Sequence, residues 1–105
     1  MARFDVYPNP GAHQGTTPYL LDVQSELLDG LDSRVVIPLR SLAHFAQVKL
    51  PTRLTPVFTI NGQNYLLETP KMAAVPQRHL KSVVASLAEH QDRITGALNF
   101  LFQGY

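Results

Sequence analysis

The chain has 105 residues, no cysteine, and nine Lys and Arg against eight Asp and Glu, for a net charge of +1. That length makes one domain with one core, and a 45% hydrophobic content excludes disorder as the main state. Balanced charge argues against a protein that lives on phosphate-backbone contacts, and the missing cysteines exclude disulfides, thiol catalysis and zinc ribbons.

All eight prolines lie at or before Pro76, so a helix is expected only beyond it, because an interior proline loses a hydrogen bond and clashes with the preceding turn. Arg3-Phe4-Asp5-Val6-Tyr7 alternates polar and apolar residues, as a half-buried strand does. Pro8-Asn9-Pro10-Gly11 breaks that strand, and the loop runs to Pro18. Tyr19 to Gln24 reads as a second strand, and Leu28 to Asp32 holds a turn signal around Gly30. Arg34-Val35-Val36-Ile37-Pro38-Leu39 is a third strand, rich in β-branched residues, whose proline places it at a sheet edge or a strand end. Residues 40–55 are ambiguous, with a short helical turn near Ser41–Gln47.

Pro56 to Ile60, Asn61-Gly62, then Gln63 to Glu68 is the clearest local signal. Asn-Gly accepts positive φ at both central positions of a tight hairpin turn. Lys71 to Pro76 is a further short extended segment. From about Ser82 the period changes to that of a helix: Val83, Leu87, Ile94, Leu98 and Leu101 share one face, with Val84 and Ala97 at its margins. Glu89, Asp92, Arg93 and Gly96 point outward, and His90 and Gln91 lie nearer the core line. Short antiparallel strands followed by one long helix predict an α+β, mainly β fold, with a small barrel or strongly bent sheet. No window approaches the ~18–20 apolar residues of a membrane span, and the start, with Asp5, carries no signal-peptide stretch. A single cytoplasmic domain, residues 1–105, with no membrane association is expected.

The four histidines, His13, His44, His79 and His90, are scattered, with no ligand spacing between them, so no metal site is expected. Ser25 or Ser41 could be imagined beside a histidine, but no strand, Gly-x-Ser-x-Gly and helix pattern brings them together. The turns at Gly30 and Gly62 lack phosphate-loop spacing. Glu26 and Asp29 stand close in sequence, and acids at a strand end are usually solvated. Arg34 and Arg40 flank a strand, and Arg78, His79 and Lys81 cluster before the helix; such groups usually form a solvated face. With no acid/base constellation, neither an enzyme nor a cofactor is expected.

Charged residues are only 16% of the chain, against a usual ~25%, which suggests apolar surface covered by a partner. The C-terminus is the unusual feature. Asn99 and Gln103 project away from the Ile94–Leu98–Leu101 line, and Phe102 lies at its margin, where chain ends are normally frayed and polar. Phe102 and Tyr105 either pack on the domain's own sheet or form an aromatic tip for a partner.

Leu21-Asp22-Val23-Gln24-Ser25-Glu26-Leu27-Leu28-Asp29 followed by Arg34 to Leu39 resembles the CcdB family of bacterial toxins. So do Pro56 to Ile60, Met72 to Pro76, and the ending Ala97 to Tyr105. The resemblance runs from Arg3 to Tyr105, with 8–18 and 43–55 as its loose parts. It implies an SH3-like barrel with a C-terminal helix, a homodimer, and a poison that traps DNA gyrase on cleaved DNA through the gyrase A subunit. It also implies a CcdA-like antitoxin that releases gyrase and joins the toxin in repressing their operon, with DNA met only through that complex. The family's gyrase-contacting residues correspond to Leu27, Leu28, Asn99, Phe102, Gln103, Gly104 and Tyr105. The ending is Trp-Gly-Ile in the best-known members, and this chain keeps the glycine. Segments 8–18 and 43–49 are candidate antitoxin contacts. A MazF-type messenger-RNA endoribonuclease, which shares a similar barrel, is the alternative, but it needs a basic groove and a general acid/base pair. A second alternative is an inactive relative kept for antitoxin binding.

Overall fold

A computed structural model describes residues 2–44 and 51–105. Its strands are β1 (Asp5–Pro8), β2 (Tyr19–Asp22), β3 (Ser33–Ser41), β4 (Val57–Ile60), β5 (Gln63–Leu67), β6 (Ala73–Pro76) and β7 (Ala85–Ser86). One α-helix, α1 (Gln91–Gln103), closes the chain. Hydrogen bonds order the strands β4-β5-β3-β2-β1-β7, and β6 pairs with β3 beside that path. The pairings are antiparallel, and the sheet bends into a nearly closed, barrel-like wrap, as the α+β expectation requires.

Alternation along the strands creates two cores. Val6, Leu21, Ile37, Leu39, Phe58, Ile60 and Leu67 fill the inside of the wrap, where Ile94 of α1 and Leu87 meet them. Tyr7, Leu20, Val36 and Leu80 form a smaller cluster. The β4–β5 hairpin is the one its sequence predicts: Asn61 (φ 52°) and Gly62 (φ 81°) both take positive φ, and Ile60 faces Gln63 across the turn. Phe4 also takes positive φ (74°). It is held there by its amide donating to the Asp22 carbonyl at 2.7 Å, its carbonyl accepting from the Leu87 amide at 2.9 Å, and its buried ring.

Three expectations are corrected. Pro38 stands inside β3, in mid-sheet, and not at an edge or strand end. On the side of β3 away from β2, β6 pairs only up to Val36 and β5 only from Leu39. Pro38 occupies the handover between them, with its carbonyl accepting from the Glu68 amide at 2.9 Å, so the N–H it lacks leaves no ladder bond unmade. Pro8 likewise ends β1 from within the strand.

The helix begins at Gln91, not near Ser82. The Val84 amide donates to Val6 and residues 85–86 pair with β1, so this segment completes the sheet edge. Tertiary pairing here overrides a short helical period. Val83 is consequently 51% exposed, whereas Ala97 is fully buried. Gln91 is exposed; Glu89, Asp92 and Arg93 face outward as expected. The expected helical turn near Ser41–Gln47 is a 3-10 turn at Leu42–His44; its remainder lies outside the described residues.

Arg34, placed on a solvated face by its sequence context, is instead fully buried. Asp22 pairs with Val36 in the β2–β3 ladder, which puts Arg34 on the diagonal within reach of its carboxylate.

Candidate functional site

Two exposed apolar features stand out against this core. The first is the connection between β2 and β3. Ser25 caps a 3-10 turn, Glu26–Leu28, by accepting the Leu27 amide on its hydroxyl at 3.2 Å. The turn buries none of its side chains: Leu27 is 94% exposed and Leu28 49%. Exposure of that degree on two adjacent leucines has no folding rationale, because burying such a side chain contributes about 1.5–3 kcal/mol.

The second is the end of α1. Asn99, Phe102, Gln103, Gly104 and Tyr105 are all exposed, with Phe102 at 71% and Tyr105 at 73%. Both aromatics leave most of their surface in solvent. Gly104 ends the helix in the left-handed region (φ 83°), and its amide donates to the Phe100 carbonyl at 2.9 Å. A residue with a side chain is strained at that φ. Further back, the Arg53 guanidinium stands over the Phe100 ring, and Arg93 donates to the Val57 carbonyl at 2.8 Å while covering the Phe58 ring. The helix is therefore anchored on β4 while its last turn projects.

The seven residues do not gather in one place within the chain. Leu27 shares a cleft with Arg3, Phe4, Ala88 and Gln91, the first residue of α1. Phe102 lies at the other end of that helix, ~16 Å further along its axis at the rise of an α-helix.

Below the leucine turn sits a polar cluster that sequence reasoning missed. Arg34 donates from Nε (2.9 Å) and Nη2 (2.7 Å) to one carboxylate oxygen of Asp22, from Nη1 to Asp29, and from Nη2 to the Gln24 carbonyl. Gln24, itself buried, donates to the Leu28 and Ser33 carbonyls and accepts the Val35 amide. Asp29, expected in solvent, is a partner of this buried guanidinium, and Glu26 accepts the Arg3 amide. Burial disfavours the charge on Arg34, but the hydrogen bonds it donates to Asp22 and Asp29 outweigh it and hold the guanidinium above its ordinary pKa. Burial pushes the Asp22 carboxyl up, against the opposing pull of Arg34 and the Gln24 amide. An acid and a base in neighbouring strands were visible in sequence; that they lie diagonally opposite needed the register.

Among the described residues no group of three or more His, Asp or Glu could hold a metal ion, and no helix is long and apolar enough to cross a membrane. His90 stacks obliquely on Phe58, with ring centroids 5.4 Å apart. Of the candidate antitoxin contacts, residues 8–18 form a mostly exposed loop, pinned by the Asn9 side chain donating to the Thr17 carbonyl. Residues 45–49 lie outside the described residues.

A comparison with protein-family models matches residues 3–104 to the family described as CcdB protein.

Proposed function

The chain belongs to the CcdB family, toxins of toxin–antitoxin systems that act as poisons and not as classical enzymes, and from that premise we propose that its target is the DNA gyrase A subunit. In this reading the protein traps gyrase on cleaved DNA. A CcdA-like antitoxin reverses the trapping and joins the toxin in repressing their operon, where DNA is met only through the antitoxin complex. The observation that supports the target is the exposure of Leu27 and Phe102, two large apolar side chains at positions that correspond to the family's gyrase contacts. A few such anchors carry most of an interface's energy. Leu28, Asn99, Gln103, Gly104 and Tyr105 complete the contact set.

The toxin acts as a homodimer in this reading. One chain holds its two apolar features at opposite ends of α1, and a second copy is a route to presenting both to one target. Sedimentation at micromolar concentration should give a species twice the 11.7 kDa chain mass, and a monomer alone contradicts it. The target is tested with purified protein and gyrase in supercoiling and cleavage assays. The expected result is accumulation of double-strand cleavage, relieved by the antitoxin. Full supercoiling at micromolar toxin, with no cleaved DNA, would overturn it.

A further inference from the structure

We propose that buried Arg34, through Asp29, is the positioning residue that holds the Leu27–Leu28 turn in its binding conformation. The inference rests on the gyrase reading for its partner, and on the geometry of the turn for everything else.

A turn that buries none of its side chains receives no fixation from the core. Its local hydrogen bonds, from the Leu28 amide to the Ser25 carbonyl and from the Leu31 amide to the Leu28 carbonyl, are exposed to competition from water. What ties it to the barrel is polar. Arg34 reaches the turn on both sides: Nη2 donates to the Gln24 carbonyl just before it, and Nη1 to Asp29, which caps its end. Gln24 adds a bond to the Leu28 carbonyl itself. Asp22, fully buried, anchors the guanidinium from below.

Stability does not account for this arrangement. A buried ion pair can commonly be replaced by apolar residues without loss, and Asp29, 49% exposed at its side chain, adds little as a half-solvated partner. A fixed turn does reduce the ordering cost of binding, which falls on loops and side chains that are mobile before contact. The cluster therefore has the form of a preorganising device: a rigid fork under an exposed hydrophobic tip.

The test uses the full-length protein with Asp29→Ala, and Asp29→Asn as the conservative variant that keeps an acceptor for Nη1. Arg34 is left in place, because removing it strands Asp22 and endangers the fold. Three quantities are measured: melting temperature, backbone order parameters at Leu27 and Leu28 from ¹⁵N relaxation, and affinity for purified gyrase A subunit. In the parent chain the order parameters should sit near ~0.85, as in rigid backbone, and in Asp29→Ala they should fall below ~0.6. Affinity should drop about tenfold, the cost of ordering one loop, while the melting temperature stays within a few degrees. Asp29→Asn should recover most of both losses. Order parameters unchanged in Asp29→Ala overturn the proposal. So does a mobile turn with undiminished gyrase binding, given that Leu27→Ala weakens that binding at least about tenfold. If the parent chain does not bind gyrase at all, the target assignment falls, and the order parameters alone decide whether the cluster holds the turn.

Discussion

Truncating one leucine at each of two positions separates folding from function. Leu27 is 94% exposed and Leu67 fully buried, so Leu→Ala removes the same atoms from opposite environments. At Leu27 the side chain has surrendered almost none of its surface to the fold, and its removal costs ~0.2 kcal/mol at most on the area scale. At Leu67 the loss is the transfer energy plus a cavity, about 2–5 kcal/mol. For a chain of this length 1 kcal/mol moves the melting temperature by roughly 4–5 °C. Leu67→Ala should therefore lower it by about 8–25 °C, and Leu27→Ala by less than ~1 °C. Binding reverses the order. If Leu27 is buried against gyrase, its truncation removes about 1.5–3 kcal/mol, a loss of roughly 10- to 150-fold in affinity. Circular dichroism melts and titration calorimetry with gyrase A subunit read the two effects. A Leu27→Ala melt lowered by more than ~5 °C would show that the turn packs on something. Affinity within threefold of the parent would remove Leu27 from the site.

Deleting Gln103-Gly104-Tyr105 removes exposed residues and one cap bond. Melting should move by no more than ~3 °C, while cleavage trapping falls sharply; antitoxin binding should persist if it uses a different surface. Gln103→Trp should strengthen trapping, since a flat aromatic can stack on an arginine. Gly62→Val has open space for its side chain but must keep φ near 81°, so it should cost about 1–2 kcal/mol in melts and leave gyrase affinity unchanged. Arg34→Met strands Asp22 in the interior and should cost about 3–5 kcal/mol in urea titrations, whereas Asp22→Leu with Arg34→Met should recover most of it. Burial, with Asp5 next for Tyr7 and Tyr19 next for Tyr65, raises both phenols above 10.0. The folded state then keeps protons that the unfolded state releases, so stability should fall as pH rises past ~10. Ultraviolet titration with parallel urea melts checks this, and rising stability in that range would contradict it.

Features set by neighbours in the chain were legible in the residues. Asn61-Gly62 demanded two positive φ angles and obtained its hairpin. Absence of proline beyond Pro76 confined the helix to the tail, and the apolar period over Ile94 and Leu98 named its inner face. Phe102, at the margin of that face, proved exposed, which the period allowed without deciding. Other features depend on which strands meet, and no local pattern encodes that. Residues 82–86 carried a helical period, yet β1 offered them an open edge. Pro38 looked like an edge residue because the handover from β6 to β5 beside it is visible only in the register. Arg34 read as surface until β2 placed Asp22 diagonally across from it, since a buried charge is tolerable only with a partner at bonding distance. The same register put the leucine turn at one end of α1 and the aromatic tip at the other. Separation in space is a property of the packed chain, and it was settled by tertiary structure alone.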